Sequence, residues 1–378
     1  MADPNITLLP NPSLDRNRPY GQRERSILCM AEANRAWAAI ATWPGYRATP
    51  LHALPAIAAR LEVGALFIKD ESHRFELSSF KALGGAYAVE CLARERGVQG
   101  LTVTCATDGN HGRAVAWGAR RVGARAVIYV HETVSPGRAA AIAGFGAEVR
   151  REGRTYDESV RICAEAASRE GWQIVSDTSW PGYEDVPRQV MQGYAVLAAE
   201  ILQDEPAPTH VFVPGGVGGL AAGVLSWFWE KQGGTRPVMV VVEPERAACL
   251  FESARAGELR TFPGDLDTIM AGLACGEPSL LAWELLGSGT DAFMTVTDSA
   301  VAATMRDMAK ASIVSGESGA AALAAFERAA VDPAMRALLR LGTGSRVVCL
   351  STEGATDPDI YFQIVGQTAK DVLLGASA

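Results

Sequence analysis

The sequence predicts an open α/β fold: two twisted, mostly parallel sheets flanked by helices, divided into a large and a small domain. Three observations predict it. Short β-branched runs alternate with longer amphipathic stretches, the order a parallel sheet needs, because each crossover between parallel strands takes a helix. The strand-like runs are apolar nearly throughout rather than alternating, as strands buried on both faces are. At 378 residues the chain has length for about two domains of ~150 residues each.

The strand-like runs are Leu101–Cys105, Ala126–Val130, Gln173–Val175, His210–Val213, Val238–Val242 and Arg346–Leu350. The helix-like stretches are Glu24–Trp43, Ser79–Arg96, Asn110–Val122, Pro136–Gly144, Tyr156–Glu170, Arg188–Leu202, Gly219–Lys231 and Ala300–Ala311. No repeat or low-complexity linker marks a boundary, so the domains follow from the strand–helix units. Leu101 to about Thr178 holds three strands in succession, enough for one lobe. The segment from Thr209 onward makes a larger sheet, joined by the helix before it and by the N-terminal region. The expected division is a discontinuous large domain, 1–93 with 187–378, and a small domain, 94–186.

Composition narrows the function. Hydrophobic residues make up 48% and charged residues 21%, ordinary globular usage. The formal charge of −8, with no block of Lys or Arg, makes nucleic acid and anionic membranes poor partners. No apolar run approaches the ~18 residues of a membrane helix. Met1–Arg18 is polar and lacks the apolar core of a signal peptide. Cysteines at 29, 91, 105, 163, 249, 275 and 349 form no CxxC pair, and their odd number suits a reducing compartment. The histidines at 52, 73, 111, 131 and 210 show no metal-ligand spacing, so no metal is expected. These features indicate a cytoplasmic enzyme acting on a small molecule.

Ligands of open α/β sheets bind beyond the carboxyl ends of the strands, so the residues there are the ones to inspect. Pro214-Gly215-Gly216-Val217-Gly218-Gly219-Leu220 follows one strand and opens a helix. Its glycines let amides curl around an anion at a helix N-terminus, which suits a phosphate. The same run fits a close-packed turn. It also fits the dinucleotide fingerprint through Gly216, Gly218 and Ala221, with Glu243 ending the next strand where a ribose-binding acid belongs. Ser78-Ser79-Phe80-Lys81 opens another helix-like stretch. The positive end of the macrodipole disfavours a cation there by roughly 0.3–1 kcal/mol. Lys81 is therefore either a solvated lysine or a Schiff-base lysine of lowered pKa. Thr107-Asp108-Gly109-Asn110-His111-Gly112 follows a third strand. Its carboxylate suits either a helix cap or a general base.

Six stretches in order carry a resemblance: Lys69–Ala88, Thr107–Trp117, Asp177–Gly193, Ile269–Pro278, Ser315–Gly319 and Ser351–Asp357. The chain resembles the fold type II pyridoxal 5′-phosphate enzymes, which include threonine dehydratase and the tryptophan synthase β chain. Within them it is most similar to the diaminopropionate ammonia-lyases. The resemblance makes the large domain the cofactor-binding one. It implies that Gly215, Gly216, Val217, Gly218 and Gly219 hold the cofactor phosphate and that Lys81 is the Schiff-base residue. It sets Asn110 at the pyridine 3′-oxygen, and Ser351 or Thr352 at the pyridine nitrogen. A neutral hydroxyl there leaves that nitrogen largely unprotonated and favours elimination over transamination. The family members are commonly homodimers.

Asp108 bears on the substrate. The threonine dehydratases carry a small hydroxylic loop at this point, which grips the substrate carboxylate. An anion beside that carboxylate would be repelled by ~4 kcal/mol at 4 Å and an effective dielectric of 20. A carboxylate is better matched to a positive group, or to a proton it must take. The expected reaction is α,β-elimination of D- or L-2,3-diaminopropionate to pyruvate and two ammonia. The resemblance implies use of both enantiomers, with Lys81 taking the α-proton of the L form and Asp108, on the opposite face, that of the D form, since one base cannot reach both hydrogens of a fixed carbon. Asp177 matches a second acidic residue of these lyases. Cys249 and Cys275 match paired cysteines, read either as two buried thiols or as a reversible bridge. The segment between Lys81 and Asp108 is shorter than the lyase pattern and Phe75-Glu76-Leu77-Ser78 departs from it. The rival is therefore a dehydratase of serine, threonine or another 3-hydroxy amino acid.

Overall fold

The computed structural model describes residues 6–75, 77–203 and 207–375, so Glu76 lies outside the described residues. The strands are β1 (Leu8–Pro10), β2 (Leu51–Ala53), β3 (Ala65–Asp70), β4 (Thr102–Ala106), β5 (Arg125–Val130), β6 (Glu148–Arg151), β7 (Gln173–Ile174), β8 (His210–Pro214), β9 (Val238–Pro244), β10 (Ala292–Val296) and β11 (Arg346–Ser351). They form two sheets. One has seven strands in the order β1-β10-β9-β8-β11-β3-β2, the other four in the order β6-β5-β4-β7. The smaller sheet is parallel throughout. In the larger one only the edge strands β1 and β2 run antiparallel to their neighbours.

Burial explains the apolar strands. Every residue of β8, β9 and β10 is buried, because helices cover both faces. The edges differ. β6 reads Glu-Val-Arg-Arg and has no fully buried residue, so its polar sequence hides it from a search for apolar runs. Strands β1, β2, β3 and β10 are likewise additional to the expected set; runs of three to six residues do not identify a strand by period alone.

The expected helix Glu24–Trp43 is two helices, Gln22–Ile27 and Met30–Ile40, with Leu28 and Cys29 extended between them. The break is tertiary. The Tyr20 hydroxyl donates to the Leu28 carbonyl at 2.8 Å, and Glu230 accepts the Met30 amide at 2.7 Å. Both groups thus find partners outside a continuous helix. By contrast, Asn110–Val122 and Tyr156–Glu170 begin and end where the sequence places them, each closed by a left-handed glycine, Gly123 and Gly171.

Two helices lie across the join between the sheets. In Lys81–Arg96 and Asn110–Val122, glycines allow near contact of backbones. A Cβ on Gly118 would sit 2.7 Å from Ala86 Cα, and one on Gly85 would sit 3.0 Å from Ala114 Cβ. The N-terminal residues of these helices, Lys81 and Asn110, are thereby brought to the same rim, beyond the carboxyl ends of β3 and β4. No helix among the described residues is long and apolar enough to cross a membrane.

Candidate active site

The loops after β3, β4, β7, β8 and β11 all open on this rim, as the sheet geometry requires. Lys81 begins its helix and its ammonium contacts Asp177, which follows β7. Both side chains are mostly enclosed, 16% and 15% exposed. Burial alone would lower the lysine pKa, but the Asp177 carboxylate outweighs burial and raises it above the ordinary value. The expectation of a lowered pKa is therefore corrected: the cost of a cation at a helix N-terminus is small beside a contacting carboxylate in a low-dielectric pocket. Burial likewise works against the Asp177 charge, and Lys81, then His111, hold the carboxyl well below the usual range. His111 Nδ1 stands 3.9 Å from Asp177, and its Nε2 meets the Val175 carbonyl at 2.7 Å. Burial depresses its pKa.

The glycine loop abuts this pair. A Cβ on Gly219 would come within 3.7 Å of the Asp177 carbonyl oxygen, and one on Gly216 would meet Cys275 Sγ at 3.0 Å. Gly218 takes φ +94°, and Gly219 starts the helix Gly219–Gln232. The Gly215 amide bonds to Val242 at 2.7 Å. The amides of residues 216–219 donate to no acceptor among the described residues. Close packing accounts for Gly215 and Gly218, whose Cβ atoms would strike Val241 and Leu286. It does not account for the orphaned amides, which form an anion cradle at a helix N-terminus.

Glu243 is corrected as a ribose ligand. It is fully buried and accepts the amides of Leu250 and Phe251 at 2.7 and 2.6 Å, which begin the helix Cys249–Ala256. Burial raises its carboxyl to about 8. A helix cap sealed in this way cannot reach a dinucleotide, and the NAD reading ends there.

Asn110 donates its side-chain amide to Glu353. Glu353 also accepts the Ser318 amide at 3.1 Å, and Ser79 pairs with it in an isolated bridge. Ser351, at the end of β11, donates to the Ser315 hydroxyl at 2.8 Å. The Thr352 carbonyl accepts the Phe80 amide, one residue before Lys81, at 3.1 Å. Asp108 is not on Lys81: its carboxylate meets His131 Nε2 at 2.6 Å, and Thr133 meets the other ring nitrogen at 2.8 Å. Tyr156 and Cys275 feel the charge of both carboxylates. Although 41% of Tyr156 faces solvent, the protein around its phenol, then Asp177 and Asp108, push it well above the tyrosine value. Burial, then Asp177, with Lys81 opposing and Asp108 adding, push the Cys275 thiol up to about 12. Cys249 donates weakly to the Gly216 carbonyl at 3.6 Å, and all seven cysteines are free thiols.

Sequence reasoning missed His131, Glu353, Tyr156 and Ser315 and gave His111 no role. Signals for three of them existed. His131 directly follows the strand ending at Val130, and Glu353 and Ser315 lie inside matched stretches. Tyr156 had none beyond its place at a helix start.

The fold, lysine, glycine cradle and paired acids define an enzyme class. Residues 42–353 match the family described as "Pyridoxal-phosphate dependent enzyme", and the chain belongs to that family. It is 38% identical over 358 residues to the diaminopropionate ammonia-lyase of Salmonella typhimurium, covering 85% of this chain and 89% of the relative. It superposes on the Escherichia coli diaminopropionate ammonia lyase in complex with an aminoacrylate-PLP azomethine reaction intermediate with a TM-score of 0.88 and 35% identity, over 95% of this chain and 96% of the other. The same lyase in complex with D-serine matches with a TM-score of 0.88, 34% identity and the same coverage. The protein is a pyridoxal-phosphate-dependent lyase with a small-molecule substrate.

Proposed function

We propose that this enzyme eliminates ammonia from 2,3-diaminopropionate, of either hand, and yields pyruvate and two ammonia. The observation that carries the reading is a pair of carboxylates with separate partners at one rim, Asp177 on Lys81 and Asp108 on His131. Two fixed anions against one lysine suit a substrate bearing a second ammonium, and suit serine or threonine less. The similarity to two bacterial lyases of that name supports the choice.

The cofactor, when bound, supplies an electron sink for the pair left at Cα when its proton departs. Lys81 would hold it through Nζ, residues 215–219 its phosphate, Asn110 the 3′-oxygen, and Ser351 or Thr352 the ring nitrogen. The orphaned amides and the adjacent amine are the features that fit it. Asp177 orients Lys81 and balances the charge of its ammonium. Lys81 Nζ removes the α-proton of the L substrate. Asp108, steered by His131, removes that of the D substrate from the other face. The β-nitrogen leaves with a proton as ammonia, and water hydrolyses the released enamine to pyruvate and the second ammonia. The same reading divides the chain into 1–93 with 187–378 and 94–186, one unit for each sheet. It sets the enzyme in the cytoplasm, on its unpaired cysteines, and as a homodimer, on the habit of the family.

The test is turnover of D- and L-diaminopropionate beside D- and L-serine, counting products. Two ammonia per pyruvate from both diamino enantiomers is expected. Faster turnover of serine, with one ammonia per pyruvate, would establish the dehydratase instead. Gel filtration with light scattering checks the dimer.

A further inference from the structure

At the edge of the seven-stranded sheet, where β2 pairs with β3, three ligating side chains meet. His52 is the middle residue of β2, Asp70 closes β3, and His73 ends the 3-10 turn Glu71–His73 that follows. Antiparallel pairing sets His52 opposite Ile68, and Asp70, two residues further along β3, lies on the same face as Ile68. His52 Nε2 is 3.2 Å and His73 Nε2 3.5 Å from one oxygen, Asp70 Oδ2. All three ligand atoms lie within 4.8 Å of one another. Zinc at ~2.0–2.1 Å from tetrahedral ligands sets ligand–ligand edges of about 3.3–3.4 Å. The two edges through Asp70 already match, and rotation of the imidazoles closes the third.

Charge points the same way. The Asp70 side chain is 2% exposed. Its other oxygen accepts the Ser72 amide at 2.9 Å. Among the described residues no lysine or arginine pairs with it, since Lys69 and Arg74 are committed to Glu71 and Glu200. A buried carboxylate without a cation is costly. The imidazoles are 37% and 34% exposed on the outer side, which leaves an entry path and room for water.

We propose that His52, Asp70 and His73 bind a divalent transition-metal ion of the zinc class, with water as the remaining ligand. Two imidazoles and one carboxylate favour such an ion over magnesium or calcium, which take oxygen ligands. The ion fastens edge strand β2 to the turn leading toward Lys81. Ser72, inside that turn, packs against Gly354, whose Cβ would lie 2.8 Å from the Ser72 Cβ. The site stands apart from the substrate reading and does not depend on it.

The experiment is equilibrium dialysis of chelator-treated holoenzyme against zinc chloride, with metal measured by elemental analysis, for wild type and for H52N/H73N. About one zinc per chain is expected in the wild type and close to none in the double variant. Cobalt-loaded wild type serves if the variant does not fold: ligand-field bands without a thiolate charge-transfer band support the site. Absence of uptake by the wild type, equal uptake by the double variant, or a cobalt–thiolate band would each overturn it.

Discussion

Two lysine–carboxylate pairs in this molecule are built from the same groups and do opposite things. Lys69 donates to Glu200 at 2.7 Å and to the Thr49 carbonyl at 2.8 Å, in a core where the side chains are 2% and 0% exposed. Arg74 bridges Glu71 and Glu200 with a two-sided fork at 2.7–2.9 Å. Thr49 and Tyr46 take up further carboxylate positions at 2.6 and 3.0 Å. Every charge there is answered. Lys81 and Asp177 contact each other, but both are partly open to the rim, and the nearby His111 Nδ1, 3.9 Å from Asp177, makes no hydrogen bond among the described residues. A sealed network specifies structure. A pair left open on one side keeps the lysine nitrogen within reach of a ligand.

Substitutions that break one pair and spare the other sharpen the contrast. Lys81→Ala should lower kcat/KM for pyruvate release by at least about 10³-fold while the urea midpoint moves little, since the base is lost from an open pair. Glu200→Ala should do the reverse. It strands Lys69 and Arg74, costs about 3–5 kcal/mol in urea unfolding, and leaves kcat of the folded fraction within a few-fold. Asp108→Asn divides the site itself: a loss of about 10²–10³-fold with D-diaminopropionate and little with the L form, read from paired initial rates. Equal losses for both enantiomers would remove Asp108 as the second base.

The mildest test concerns a buried carboxyl, Glu317, with no ion pair among the described residues and, of the cations, only Arg138 acting on it from a distance. Burial, then the neighbouring Glu353, raise Glu317 to about 7, and its Oε1 has no hydrogen-bond partner. The unfolded chain releases this proton near ~4.3. Between that pH and about 7 the folded chain holds the extra proton. The contribution of Glu317 to stability is therefore full at low pH and falls as pH rises through the window. Glu317→Gln should flatten the decline of urea-unfolding stability between pH 5 and 8 by roughly 1–3 kcal/mol. An unchanged pH profile would show that Glu317 does not carry it.

The same contrast separates what the sequence makes legible from what it hides. Local chemistry marked Lys81, Asp108 and the glycine loop as candidates, each with a bland alternative, and only the order of six stretches along the chain singled them out together with Asn110. The helices Asn110–Val122 and Tyr156–Glu170 could be read because their stop signals, Gly123 and Gly171, are local. The split at Leu28 could not, because the groups that break the helix, Tyr20 and Glu230, arrive from elsewhere. The His131 partner of Asp108 and the Glu353 partner of Asn110 are likewise products of topology. The histidines at 52 and 73 lack a recognisable spacing, yet an antiparallel edge strand brings them to one oxygen. Conversely, Glu243 matched a fingerprint by spacing alone and proved to be a sealed cap.

The glycine seam between the helices Lys81–Arg96 and Asn110–Val122 has a mechanical consequence. With Gly118 against Ala86 and Gly85 against Ala114, the contact has almost no compressible space. The two helices must travel as one stiff plate, so the separation of Lys81 from Asn110 is fixed. Any breathing of the cleft is then displaced to its other lip, the side that carries the Asp108–His131 pair.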